Sequence, residues 1–373
     1  MNFKYVLREY QKKAIVAIIE KFKANDKTLL RMPTGTGKTV VFAYISYLFL
    51  RSSKKVLILQ NRRNLVFQTA KAFQNAIGIE SNIIMGSDMR LSNTNMTVAT
   101  VQTLKSKTKR FKLFLKSIDL VIIDECHYGL SNTYCSLYEQ LHINAKVLGV
   151  TATPKKANQE ALAGYFKKTI WHTLFDCIIE INKECVFEER GFICPPKVCR
   201  TTDFEFKDIR QYSDSEKKKQ YHLVVQDYLS QAKGKQVIVF ADSLSDSELL
   251  SGLFRDNGIF SVHIGSNYCI GVDGSQQKRI VVFEQISNNK ALVICNKDIL
   301  IAGYDVPNIS GVFIVRSVGN MMSYRQMTGR GNRIKDDKKQ YLLFDYGGNV
   351  KRFGLPNKTV AWSLQDKKRK VIR

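Results

Sequence analysis

The residues best suited to chemistry stand in two short strings. In Met32-Pro33-Thr34-Gly35-Thr36-Gly37-Lys38-Thr39, two glycines and a lysine follow the apolar run Thr28–Arg31 and precede a helix-like run, Val40–Leu50. A strand, a tight glycine loop and a helix N-terminus make a geometry in which backbone N–H groups converge on phosphate oxygens. Gly35 and Gly37 let the chain curl close to the ligand. Lys38 would reach the β- and γ-phosphates, and Thr39 would put its hydroxyl on Mg²⁺. The second string, Val121-Ile122-Ile123-Asp124-Glu125-Cys126-His127, is an apolar strand that ends in adjacent carboxylates. Asp124 at such a tip can hold Mg²⁺ through water, and Glu125 can orient and deprotonate the attacking water. Either string alone has a bland reading, a glycine-rich turn or a polar strand end. Together, in one rhythm of strands and helices, they describe a site that binds a nucleoside triphosphate and hydrolyses it.

Such a site needs a rigid sheet behind it. From the start to about residue 175, short apolar runs alternate with helix-like segments, the pattern of a parallel sheet covered on both faces. The expected strands are Thr28–Met32, Lys55–Gln60, Ile83–Met85, Met96–Thr100, Leu120–Asp124 and Val147–Thr151. The rhythm returns from about 232 to 350, with expected strands Gln236–Ala241, Ser261–Ile264, Ala291–Cys295, Gly311–Val315 and Gln340–Asp345. Residues 176–231 break it with a Gly191-to-Pro196 turn region and the charged stretch Asp203–Gln220, and read as a connector. The expected organisation is therefore α/β, with lobes over 1–175 and 232–350, a connector over 176–231 and a basic tail over 351–373.

Composition narrows the partners. The chain has 373 residues, enough for two domains, and its hydrophobic and charged contents of 44% and 24% are ordinary for a globular protein. The net charge of +25 is not ordinary, and it points to a polyanion. No apolar run approaches the ~18 residues of a membrane span, and the start MNFKYVLREYQKK has no signal-peptide core. The eight cysteines, at 126, 135, 177, 185, 194, 199, 269 and 295, form no Cys-x-x-Cys pair, so they read as reduced thiols and not as a zinc site. A cytoplasmic protein is the expectation.

Taken in series, the motifs resemble the superfamily 2 helicases and translocases of the Asp-Glu-x-His branch. That resemblance implies two tandem RecA-like lobes of the P-loop NTPase kind, ATP and Mg²⁺ as cofactors, and nucleic acid as partner. Met32 departs from the general loop pattern, which has glycine there, but suits the superfamily 2 form. Leu7-Arg8-Glu9-Tyr10-Gln11 resembles the family element whose glutamine reads the adenine edge, which implies that role for Gln11 and a lesser one for Arg8. Gln60–Gln68 and Thr100–Leu104 resemble strand-gripping elements, which makes Arg62, Arg63, Thr100 and Gln102 the expected nucleic-acid contacts. Gly149–Pro154 resembles the Thr-Ala-Thr motif, with Thr151 and Thr153 coupling nucleotide to strand. His127 is implied to couple the lobes by bridging to Gln326.

The second lobe carries its own resemblances. Val239–Ser243 matches the motif of its first strand and implies that Ser243 meets nucleic acid. Asn296–Pro307 resembles the motif whose Gly-x-Asp turn, here Gly303 and Asp305, faces the nucleotide. Family members often have threonine where Asn296 stands, which removes a hydroxyl-to-phosphate contact. In Gln326-Met327-Thr328-Gly329-Arg330-Gly331-Asn332-Arg333, positions 326, 330 and 333 would share one face of a helix. A glutamine and two arginines there suit γ-phosphate contact, with Arg330 and Arg333 as arginine fingers. Fingers and loop in different lobes imply that the lobes close for hydrolysis.

Within the branch, Phe175–Ile178, Gly191–Pro196 and Leu343–Asn349 resemble the RadD-type DNA repair helicases, whose cysteine-rich C-terminal region this sequence does not contain. The expected function is ATP-driven unwinding, remodelling or branch migration on nucleic acid, with DNA ahead of RNA. The alternatives are an RNA helicase, a translocase without strong unwinding, and a nucleic-acid-binding protein with a dead ATPase core. The intact set Lys38, Asp124, Glu125, Arg330 and Arg333 argues against the last.

Overall fold

The computed structural model describes residues 2–106, 108–126, 137, 139–152, 177–180, 187, 189–201, 212–301, 309–334 and 338–358. The chain divides into two compact units, one built on Met1–Lys183 and the other on Glu184–Thr359. His127, Thr153, Gly303 and Asp305 lie outside the described residues, as does most of the basic tail.

The first unit runs α1 (Glu9–Ala24), β1 (Lys27–Arg31), α2 (Lys38–Arg51), β2 (Val56–Gln60), α3 (Arg63–Ile77), β3 (Asn82–Met85), β4 (Asp88–Arg90), β5 (Met96–Thr100), α4 (Val101–Ser106), α5 (Thr108–Lys116), β6 (Leu120–Asp124), β7 (Lys146–Thr151) and β8 (Cys177–Glu180). Its sheet has the order β4-β3-β5-β2-β6-β7-β1-β8. Among the described residues, only the β3–β4 pair is antiparallel. Strand β2 is buried from end to end, and so is β6 up to Ile123, because helices cover both faces and neither side of the pleat can be polar. Helix α1 buries Tyr10, Ala14, Ile15, Ile18 and Phe22, a stripe at three- and four-residue spacing that seats one helix face on the sheet.

The second unit runs β9 (Pro196–Thr201), α6 (Asp214–Asp227), β10 (Val237–Ala241), α7 (Leu244–Asp256), β11 (Ser261–Ile264), β12 (Cys269–Ile270), β13 (Gln276–Gln277), α8 (Arg279–Ser287), β14 (Val293–Asn296), β15 (Gly311–Val315), α9 (Met321–Thr328), β16 (Tyr341–Asp345) and α10 (Asn349–Phe353). Its order is β13-β12-β11-β14-β10-β15-β16-β9. Along β10, Ile238 and Phe240 enter one core while Val237, Val239 and Ala241 enter the other. That alternation shows a strand packed on both faces.

Both sheets depart from purely parallel pairing. Strand β4 in the first unit and β12 and β13 in the second add antiparallel edges. These are two- or three-residue strands, too short to leave a periodic signal in the sequence. The stretch read as a connector also contributes a strand to each sheet. Strand β8 pairs with β1, and β9 pairs with β16 at the opposite edge of its sheet from β13. Pro196 opens β9, a position where its missing N–H costs least. Helix α6 then starts from a capping box at Ser213 and Glu216 and packs on α7, where Lys217 pairs with the buried Asp246 at 3.2 Å. The apolar content of β9 is interrupted by Lys197 and Arg200, which hid it among charged neighbours.

Candidate nucleotide and strand-contact site

Strand register brings the first unit's motifs to one rim. Arg31 at the end of β1 lies beside Thr151 of β7, and Val150 of β7 lies beside Asp124 of β6. The phosphate loop therefore leaves the same edge of the sheet at which the carboxylates stand. Met32 N donates to Thr151 O at 3.1 Å, which anchors the loop at its root. Thr151 itself is fully buried.

The loop is held from within and from outside. Gly35 and Gly37 have φ of +86° and +77°, conformations open to glycine and costly for other residues. Thr36 Oγ1 donates to Pro33 O at 2.7 Å, and Lys38 Nζ lies 3.4 Å from the same carbonyl. From outside, Tyr10 Oη donates to Thr36 O at 2.9 Å and Gln11 Nε2 donates to it at 3.2 Å. Gln11 Oε1 accepts from Arg8 N at 3.0 Å. Gln11, expected at the adenine, thus has both ends of its amide engaged on α1 and the loop. Tyr10, which the sequence motif contains without an implied role, is the second support of the loop. Thr34 and Thr39 are half-buried, with Thr39 in the first turn of α2.

At the end of β6, each oxygen of Asp124 has a donor. Glu125 N donates to Oδ1 at 2.9 Å, and Gln60 Nε2 donates to Oδ2 at 3.2 Å. Burial, and after it the charge of Glu125, push the Asp124 carboxyl up to about 6, against the pull of Gln60 and Lys38. A half-buried carboxylate raised in this way is best ionised beside a cation, and a carboxylate with a hydroxyl is a hard-oxygen donor set suited to Mg²⁺. Asp124 and Thr39 would hold that ion. Glu125 has φ of +48°, a backbone state that costs a non-glycine residue about 1 kcal/mol and is characteristic of functional turns.

The expected strand contacts separate. Arg62 and Arg63 stand at the start of α3, half-buried and exposed, and Gln102 is exposed at the start of α4. Gln102 Nε2 reaches Asn61 O at 3.4 Å, so these residues share one rim, above β2 and its neighbour β5. Thr100 is turned inward, with its hydroxyl 2.7 Å from Thr103 Oγ1.

In the second unit, Ser243 caps α7, with its Oγ accepting from Asp246 N at 2.9 Å. Asn296 is fully buried. Its Nδ2 donates to Val239 O at 3.2 Å and its Oδ1 accepts from Leu300 N at 3.2 Å, so the side chain is spent on the sheet and the following turn.

The shared helical face of Gln326, Arg330 and Arg333 is corrected by the structure. Helix α9 ends at Thr328, with Gly329 as its C-cap. Arg330 N and Gly331 N then bond to Met327 O and Thr328 O, the tighter spacing of a closing turn. The turn is drawn against β16, because a Cβ on Gly331 would lie 2.3 Å from the Tyr341 ring. Only Gln326, buried, lies on the helix, while Arg330 and Arg333 lie on the loop after it. Arg330 donates to Ile301 O. Sequence reasoning also missed Lys338, whose Nζ donates to Ile309 O at 2.6 Å, to Arg333 O at 2.9 Å and to Gly331 O. One half-buried ammonium thereby ties the arginine loop to the root of β15.

Among known families, residues 4–156 match the Type III restriction enzyme res subunit, and residues 219–335 match the helicase conserved C-terminal domain. IRC3 of Saccharomyces cerevisiae, named as an ATP-dependent helicase, is 26% identical over 372 residues, which cover 92% of this chain and 52% of that protein. The EcoAI type I restriction enzyme endonuclease subunit of Escherichia coli is 24% identical over 406 residues, covering 96% of this chain and 49% of the subunit. The chain thus spans about half the length of these relatives. The solved structure of the ATP-dependent Type ISP restriction-modification enzyme LlaBIII bound to DNA has a TM-score of 0.67 at 16% identity, covering 92% of this chain and 28% of the enzyme. That of S. cerevisiae Dbp5 bound to RNA and ADP BeF3 has a TM-score of 0.59 at 18% identity, covering 93% of this chain and 92% of Dbp5. The chain carries the paired domains of superfamily 2 helicases, in the tandem RecA-like fold. Among the described residues, no helix is long and apolar enough to cross a membrane.

Proposed function

We propose that the protein is an ATP-driven helicase or translocase that works on DNA, in the Asp-Glu-x-His branch near the RadD-type enzymes. The observation that carries this reading is the shared rim of the first sheet, where the loop of Lys38 after β1 and the carboxylates of Asp124 and Glu125 at the end of β6 flank the end of β7. Lys38 and the loop N–H groups bind the triphosphate. Asp124 and Thr39 would hold Mg²⁺, which would neutralise phosphate charge. Glu125 orients the attacking water and takes its proton, and Arg330 and Arg333 supply positive charge to the γ-phosphate as it leaves.

The net charge of +25 supports a long phosphate track, and Arg62, Arg63 and Gln102 lie on one rim where a strand backbone can be gripped without base reading. DNA is favoured over RNA by the restriction-enzyme relatives. The deciding experiment is the ATPase rate on single-stranded, duplex, forked and four-way DNA and on RNA. Stimulation by DNA is expected. Stimulation by RNA alone would make the protein an RNA helicase, and no stimulation by either polymer would overturn the motor reading.

A further inference from the structure

Gln60 closes the apolar strand β2 and is fully buried. Its Nε2 donates to Thr69 Oγ1 of α3 at 2.8 Å and to Asp124 Oδ2 at 3.2 Å. Its Oε1, equally buried, accepts no hydrogen bond among the described residues. The orientation of the amide follows from its neighbours, since a carboxylate accepts and only the NH₂ end can face it. A buried amide with an unused oxygen costs roughly 1–3 kcal/mol relative to a satisfied one. An apolar side chain would close this strand without that penalty. Thr69 does not need the amide either, because a threonine on a helix can bond the carbonyl one turn back. What the amide alone provides is the donor to Asp124 Oδ2, while Glu125 N holds Oδ1. Two donors, one to each oxygen, set the plane of the carboxylate and leave its remaining lone pairs for a metal.

We propose that Gln60 is a positioning residue for the divalent cation: it fixes the plane of the Asp124 carboxylate and is itself fixed by Thr69. This inference rests on the reading of Asp124 as the metal carboxylate. Outer partners of metal-binding carboxylates act in this way, and their loss costs about 10–100-fold in metal affinity.

The test uses Mn²⁺ as probe, titrated into the full chain with ADP and followed by electron paramagnetic resonance. Gln60→Met keeps length and bulk but has no donor, and Gln60→Asn keeps the amide but cannot span to Asp124. Both should weaken Mn²⁺ binding about 10–100-fold while changing metal-free binding of a fluorescent ADP by less than about 2-fold, a split that loss of packing would not produce. Thr69→Val, which removes only the anchor, should weaken Mn²⁺ less, and its effect should vanish in the Gln60→Met background. Melting curves report whether each variant is folded, and either Gln60 variant suffices. Asp124→Asn separates the two readings. If it leaves Mn²⁺ affinity intact, the metal assignment fails. If it abolishes binding while a folded Gln60 variant binds within about threefold of wild type, the role of Gln60 alone is overturned.

Discussion

Gln11 and Gly37 are fitted against each other, so that a Cβ on Gly37 would stand 2.7 Å from Gln11 Nε2. Helix α1 therefore reaches the phosphate loop at van der Waals contact, and the loop has the one residue that permits it. Gly37 also has φ of +77°. Two separate constraints, sterics and backbone state, meet at the residue before Lys38.

Gly37→Ala should fail on both counts. Destabilisation of about 1–2 kcal/mol is expected from the left-handed backbone alone, measured by denaturant melts. Titration with a fluorescent ADP should show at least about a tenfold loss of affinity, one factor of ten for each ~1.4 kcal/mol of lost loop geometry.

Tyr10→Phe removes the donor to Thr36 O and leaves the ring in place. A net hydrogen bond of about 1 kcal/mol predicts a several-fold rise in KM for ATP, with kcat little changed. Steady-state kinetics at saturating DNA check it. An unchanged KM would mean that Gln11 alone supports the loop.

Lys38→Ala and Glu125→Gln should each lower ATP hydrolysis by at least about 100-fold, the scale of losing a group that acts on the developing charge or the attacking water. Binding to a labelled oligonucleotide should persist and weaken steeply with added salt. Full turnover in either variant would contradict the assignment of the rim.

Burial pushes Lys338 down to about 8 from its ordinary 10.5. The folded state therefore holds fewer protons than the unfolded chain between those values, and stability from this group is present above about 10.5 and lost as pH falls through about 8. Activity should move the other way, since deprotonation above pH 8 weakens the ammonium's grip on the carbonyls of Gly331 and Arg333. Melting temperature and ATPase rate from pH 7 to 10 should diverge in the wild type. Lys338→Met should flatten both trends.

Asp227 is buried between Arg200 of β9, at 2.5 Å, and Tyr346 Oη, at 2.7 Å. Asp227→Ala leaves the guanidinium without its partner and should destabilise the second unit by about 3 kcal/mol. Tyr346→Phe should cost about 1 kcal/mol. Denaturation of the full chain, followed by tyrosine fluorescence, distinguishes them.

Several elements were legible because a physical rule makes them local. Strand β5 over Met96–Thr100, β6 over Leu120–Asp124, β11 over Ser261–Ile264 and β15 over Gly311–Val315 have the bounds expected from their apolar runs. Lys38, Asp124 and Glu125 stand at the strand-to-loop transitions expected of them, because such transitions are set by residues close together in the sequence. Other features were not legible. Residues 176–201 look like a linker in composition, yet β8 and β9 complete two sheets through backbone hydrogen bonds that need no apolar run.

The amino-acid sequence by itself determined the class of chemistry, since glycines of positive φ, a lysine and paired carboxylates carry it within a few residues of each other. It also determined the double-sided burial of the central strands. Only the tertiary structure decided which distant side chains stand against these residues. Tyr10 and Gln11 meet Thr36 because α1 packs beside the loop, and Gln60 meets Asp124 because β2 and β6 pair in register. Arg330 and Arg333 leave the helix because Gly331 is pressed against Tyr341. Each of these contacts joins positions far apart in the chain or overrides a local periodicity, and close packing sets them where spacing along the sequence cannot.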